Sequence, residues 1–164
     1  MKDELKSPRK RPAKRTPFVT HHSSPRVFSW PVRVYYEDTD LGGVVYYANY
    51  LKFLERARTE WLRARGFEQN ALAAVHQVMF MVRVVSLDYR KPARFNDELE
   101  VTVELREIGA SRIALQQLVR RGQEEMVAAQ VEIACVNTIS FKPVRIPSSL
   151  LEALHRQAAE GKTA

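Results

Sequence analysis

One helical pattern stands alone in this sequence. From about Asn49 to Arg65, Tyr50, Leu54, Ala57 and Trp61 recur at helical spacing, with Phe53 and Ala64 beside them. Lys52, Glu55, Arg56, Arg58, Glu60 and Arg63 cover the opposite side. Asn49 suits the N-cap, Arg63 and Arg65 suit the negative C-terminal end, and Gly66 suits the position just past it. A helix with so wide an apolar face must bury it, and the rest of the chain offers mainly strands to bury it against. The expected architecture is therefore α+β, with an antiparallel sheet wrapped around one long central helix and Phe53 and Trp61 in the core.

The strands are written in period-two alternation. Val27–Glu37 is expected as the first, and Pro31, which has no N–H to give, places that segment at an edge or a bulge. A short helical turn at Gln69–Val75 precedes a β-rich run, Val78–Arg90, that Pro92 ends. In Glu98–Ile108, Leu99, Val101, Val103 and Leu105 alternate with Glu98, Glu100, Thr102 and Glu104, the signature of a half-exposed antiparallel strand. Arg112–Arg121 follows the Gly109–Ser111 turn, and Glu125–Thr138 follows the Gly122-Gln123 turn. Ser149 with Glu152 reads as a capping box for a short last helix through Gln157.

The chain has 164 residues, enough for one domain with a real core. We expect that domain over residues 26–158, a flexible C-terminus at 159–164, and a disordered basic tail at 1–25. The tail holds four prolines and seven Lys/Arg against two Asp/Glu, so it accounts for +5 of the formal +7. The remaining +2 is unremarkable, and aromatic and basic residues do not interleave in the pattern of RNA-binding modules; nucleic acid is not the expected partner. His21-His22 is too small a set for a metal site. With one cysteine, Cys135, no intrachain disulfide and no cysteine-based zinc site can form. Cys135 stands mid-strand among apolar residues, where a buried, inert thiol is expected. No apolar run is long enough to be a transmembrane segment, and the basic N-terminus lacks the apolar stretch of a secretory signal, so a cytoplasmic location is expected.

Chemistry concentrates between the first strand and the long helix. Glu37, Asp38 and Asp40 lie within four residues, and Gly42-Gly43 then open a loop into the helix. A carboxylate ahead of a helix N-terminus stands close to backbone N–H groups that have no helical acceptor and attract developing negative charge. Other nucleophilic schemes are thin: there is no G-x-S-x-G elbow, no P-loop and no G-x-G-x-x-G.

The segment WPVRVYYEDTDLGGVVYYANYLKFLERARTEWLR, Trp30–Arg63, resembles the hotdog-fold acyl-CoA thioesterases. It is most similar to the small branch encoded with the Tol–Pal envelope system, relatives of 4-hydroxybenzoyl-CoA thioesterase. The resemblance continues through VRVVSLDYRKPARFNDELEV, Val82–Val101, and weakly to about Pro147. It implies hydrolysis of an acyl-CoA to CoA and a free acid, with no metal or prosthetic group, coenzyme A being part of the substrate. It puts the catalytic carboxylate on Asp40, as nucleophile or general base, and the oxyanion donor on the backbone N–H of Tyr47. Gly42, Gly43 and Val44 would line the approach. Arg90, Lys91 and Arg112 are the candidates for the CoA phosphates. Close relatives often carry His where this chain has Tyr47; a backbone donor survives that change. Tyr50, Phe53 and Met79–Met81 are candidate tunnel residues. Glu55 is expected to serve Arg56 or Arg58, or a subunit interface. The resemblance further implies a homo-oligomer, a dimer or a homotetramer built as a dimer of dimers, with sheets joined edge to edge. The alternative is a non-catalytic hotdog scaffold for acyl carrier protein or phospholipid-synthesis enzymes, with the basic tail steering an acidic partner.

Overall fold

A computed structural model describes residues 27–160. The tail expected over residues 1–25, its two histidines, and residues 161–164 lie outside the described residues. Five strands, β1 (Val27–Arg33), β2 (Val78–Tyr89), β3 (Glu98–Ile108), β4 (Arg112–Arg121) and β5 (Glu124–Asn137), form one sheet in the order β1-β3-β4-β5-β2. Every pairing is antiparallel. The helices are α1 (Asn49–Arg63), α2 (Gln69–His76) and α3 (Ser148–Glu160). Pro31 does lie on an edge strand, opposite Glu100 of β3.

The helix face written in the sequence is the buried one. Tyr50, Phe53, Leu54, Ala57, Trp61 and Leu62 of α1 join Leu99, Val101 and Val103 of β3, Ile113, Leu115 and Val119 of β4, and Val127, Val131 and Ile133 of β5 in one apolar cluster. Ala64, expected on this face, is exposed, and Leu62 takes its place. The helix closes with a pair of bonds, Phe67 N–H to Leu62 O and Gly66 N–H to Arg63 O, with Gly66 at φ +82°, which puts Gly66 where the sequence put it. Among the described residues, one polar side chain enters the core fully. Gln117 of β4 donates to Leu54 O at 3.1 Å and accepts from Arg58 at 2.9 Å, so both ends of the buried amide are used. Glu55 accepts from Thr59 at 2.7 Å, one turn on along the helix.

Five local expectations need correction. β1 stops at Arg33 rather than Glu37, because Val34 leaves the strand ladder and bonds with Asn96 and Asp97, and Tyr36–Asp38 coils into a 3-10 turn. Asn49 is the first helical residue and not the cap; Ala48 holds the cap position with no side-chain bond. Thr102 is buried, its hydroxyl accepting Leu118 N–H at 3.0 Å. In α3 the expected capping box is absent: Ser149 lies inside the helix, and Leu151 N–H bonds the Pro147 carbonyl. That helix reaches Glu160, past Gln157 and into the stretch expected to be a flexible end.

β2 differs from the other strands. It is an edge strand, and Met81, Val82, Val84 and Val85 are between 38 and 50 % exposed. Long, apolar, uncovered edges are unusual on a chain that stays alone.

Cys135 is fully buried on β5, and burial pushes its thiol up to about 11. At pH 8 it is a neutral, enclosed thiol. Folded protein at pH 8 is expected to resist iodoacetamide, and denatured protein to take one label, as read by mass spectrometry. Rapid labelling of the folded chain would contradict this burial.

Candidate active site

The acidic cluster divides into two unlike carboxylates. Asp38 is buried; its Oδ2 accepts Tyr35 N–H at 2.8 Å, and its carbonyl accepts Tyr46 N–H at 2.8 Å and the Asn49 amide at 3.0 Å. Those bonds tie the 3-10 turn to the start of α1. The Asn49 side chain, the expected cap, reaches back to Asp38 instead. Glu37 is exposed.

Asp40 lies in a tight loop, closed by Asp40 N–H to Val44 O and Gly43 N–H to Asp40 O, both 3.0 Å. Its Oδ1 accepts Gly42 N–H at 2.8 Å; Oδ2 makes no hydrogen bond among the described residues, and the side chain is exposed. A Cβ on Gly42 would come within 3.0 Å of Oδ1, and Gly43 stands at φ +72°, where a side chain is strained. The two glycines therefore shape this loop around the Asp40 carboxylate. Val44 pairs with Arg94, and Val45 N–H bonds Ala93 O at 2.8 Å.

Between that loop and α1, the chain turns through Tyr46–Ala48. Asn49 N–H is taken by Tyr46 O, whereas the N–H groups of Tyr47 and Ala48 have no acceptor among the described residues. Tyr47 is thus in the turn just ahead of α1, not in its first residue, and its N–H is unspent.

An aromatic ladder adjoins this turn. Ring centres are 4.7 Å apart for Tyr46 and Tyr47, 6.4 Å for Tyr47 and Tyr89, 5.8 Å for Tyr89 and Tyr50, and 5.9 Å for Tyr50 and Phe53. The Tyr46 phenol is held above its ordinary range, chiefly by the neighbouring Tyr47 side chain, with burial and the Asp40 charge adding. Tyr50 is buried and Phe53 wholly so, and Met79 and Phe80 are half-buried at the other end of β2. Sequence reasoning missed Tyr89. Its only signal was an aromatic residue at the end of a β-rich run.

Arg90 and Lys91 follow Tyr89 directly and lie near this site, but both are paired. Arg90 contacts Asp88 at 2.8 Å and also Glu125; Lys91 contacts Glu124 at 2.8 Å. Lys91 and Arg121 together pull Glu124 down to about 2. These exposed pairs contribute little each, and a phosphate would compete with them for the cations. Arg112 is elsewhere. It pairs with Glu107 at 3.7 Å at the opposite end of β4 from Arg121, roughly 30 Å away at strand rise. One chain does not bring Arg112 to Asp40.

An antiparallel sheet packed on one long helix is the hotdog arrangement. The chain belongs to the thioesterase-like superfamily, whose family model matches residues 34–154. It is 44% identical over 128 residues to the acyl-CoA thioesterase YbgC of Haemophilus influenzae, covering 78% of this chain and 94% of that protein. It is 34% identical to the YbgC acyl-CoA thioesterase of Helicobacter pylori, covering 75% and 96% respectively. Among solved structures, a probable thioesterase from Bartonella henselae superposes with a TM-score of 0.72 at 36% identity, over 74% of this chain and 99% of that one.

Proposed function

We propose that this protein hydrolyses an acyl-CoA thioester to coenzyme A and a free carboxylic acid, with Asp40 as the reacting carboxylate. One observation carries the reading: an exposed carboxylate with a free oxygen stands on the loop that leads straight to two unspent N–H groups. As nucleophile, Asp40 adds to the thioester carbonyl carbon, the C–S bond breaks, CoA leaves as the thiolate, and water cleaves the resulting mixed anhydride. As general base, Asp40 takes a proton from water, which adds to the same carbon, and the thiolate leaves with the proton returned. Both routes put negative charge on the carbonyl oxygen, and the Tyr47 N–H at the positive end of α1 supports it in place. The Tyr47 side chain is not required for that donation. As proposed, neither route calls on a metal or prosthetic group, coenzyme A being part of the substrate.

The working form we propose is a homo-oligomer joined through β2. Antiparallel pairing of two β2 edges would satisfy the exposed backbone, cover Met81, Val82, Val84 and Val85, and set the Val78 end of one strand beside the Tyr89 end of the other. Met79 and Phe80 of each copy would then approach the other copy's aromatic ladder.

The experiment is CoA release from short-chain, long-chain and aromatic acyl-CoA thioesters. Turnover of at least one class supports the reading and narrows the acyl group. No release from any of them overturns it, in favour of a hotdog scaffold that binds an acyl chain carried by a protein.

A further inference from the structure

The stretch from Tyr89 to Arg94 leaves β2 and runs between α1 and the Asp40 loop. Three hydrogen bonds hold it to both. Ala93 N–H donates to the Tyr50 hydroxyl of α1 at 3.1 Å. Val45 N–H, in the Asp40 loop, donates to Ala93 O at 2.8 Å. The third is the Tyr89 hydroxyl, which donates to Tyr47 O at 3.0 Å. The first two bonds involve a fully buried residue, Ala93, and are accounted for by packing. The third differs. Tyr89 is 48 % exposed and Tyr47 is 62 % exposed, so burial does not force the bond. It reaches the Tyr47–Ala48 peptide, whose Ala48 N–H is unspent, next to the Tyr46–Tyr47 peptide that carries the unspent Tyr47 N–H.

We propose that Tyr89 is a positioning residue, whose hydroxyl, by gripping the Tyr47 carbonyl, fixes the Tyr47–Ala48 peptide plane, so that the Ala48 N–H it carries stays aimed at the reacting carbonyl oxygen beside the Tyr47 N–H, whose own peptide is held by Asn49 N–H on Tyr46 O. The proposal deepens the thioesterase reading and rests on it. A turn ahead of a helix has freedom to rotate its peptide planes, and Ala48 supplies no side-chain cap to stop that. The ring of Tyr89 is already seated between Tyr47 and Tyr50, edge-on to both. Burial, and then the Tyr47 phenol, raise the Tyr89 hydroxyl above its usual range, so it remains a protonated donor through neutral and mildly alkaline pH. A donor preorganised this way acts when charge develops in the transition state and has little effect on how the thioester first binds.

The test is Tyr89→Phe in the full chain, assayed beside wild type, Asp40→Asn and Tyr89→Leu on a thioester that the wild type turns over. Phe keeps the ring and removes only the hydroxyl. Loss of one positioning bond is expected to lower kcat about tenfold, with KM changed less than about twofold and the melting temperature unmoved. Tyr89→Leu is expected to lose activity and also to melt earlier. Wild-type kcat in Tyr89→Phe would overturn the proposal while leaving the thioesterase reading intact. A raised KM at constant kcat would overturn it too, making Tyr89 a substrate contact. If Tyr89→Phe melts as early as Tyr89→Leu, the hydroxyl is structural and the proposal falls. If the wild type turns over no thioester, the functional reading fails and the role of Tyr89 fails with it.

Discussion

Replacing Asp40 with Asn is expected to lower kcat for CoA release by about 10²–10⁴-fold and to leave the fold standing. The two halves of that expectation come from different atoms. Asp40 Oδ1 takes the Gly42 N–H, and an Asn side chain keeps an oxygen there for the same bond. Oδ2 carries no bond among the described residues, so nothing structural depends on its charge. What Asn loses is an anionic oxygen able to attack carbon or accept a proton from water. Steady-state CoA release with a thiol reagent gives the rate, and a thermal melt shows that the protein is folded. A variant that melts normally and hydrolyses at the wild-type rate removes Asp40 from the chemistry. Asp38→Asn is a useful contrast, since its carboxylate bonds a backbone N–H inside the fold and it is expected to move the melt more than the rate.

Phe53→Ala is expected to be among the most damaging changes in the core, costing about 3–5 kcal/mol. Phe53 is fully buried in the second turn of α1, packed edge-to-face with Tyr50, and the sheet covers it. Removing the ring leaves a hole between a helix and strands that cannot both close on it. A loss of that size is a large fraction of the stability of a domain this long. Urea unfolding followed by far-UV circular dichroism checks it: the midpoint should fall clearly while the slope stays as in the wild type. A shift equivalent to less than about 1 kcal/mol would mean that the core does not centre on this helix face.

The parts of the fold that were legible in the sequence are those that burial alone dictates. β3 and β4 begin and end where their alternation does, and α1 buries the face its spacing marks. What failed were assignments that depend on where one polar side chain finds a partner. Asn49 looks like a cap because caps are local, yet its amide is spent on Asp38 O, eleven residues earlier in the chain. Ser149 with Glu152 has the spelling of a capping box, but the helix begins one residue earlier. The acidic run likewise reads as one cluster, since its residues are neighbours in sequence. The 3-10 turn at Tyr36–Asp38 rotates Asp38 inward and leaves Asp40 outside. The candidate site divides the same way. Asp40, Gly42, Gly43 and the Tyr47 N–H are contiguous, and a motif can show them. Tyr89 joins them only through the fold, forty-two residues downstream, and no local spelling marks it.

The split between Asp38 and Asp40 bears on how such a chain can change over time. One carboxylate braces the frame from inside, and the other stands on it with almost no duties to the frame. Position 40 can therefore be altered without dismantling the turn that presents it, provided the new side chain still offers an oxygen to Gly42. The frame works as an interchangeable mount: a change at position 40 leaves the turn beneath it standing, whereas a change at position 38 reaches the turn itself.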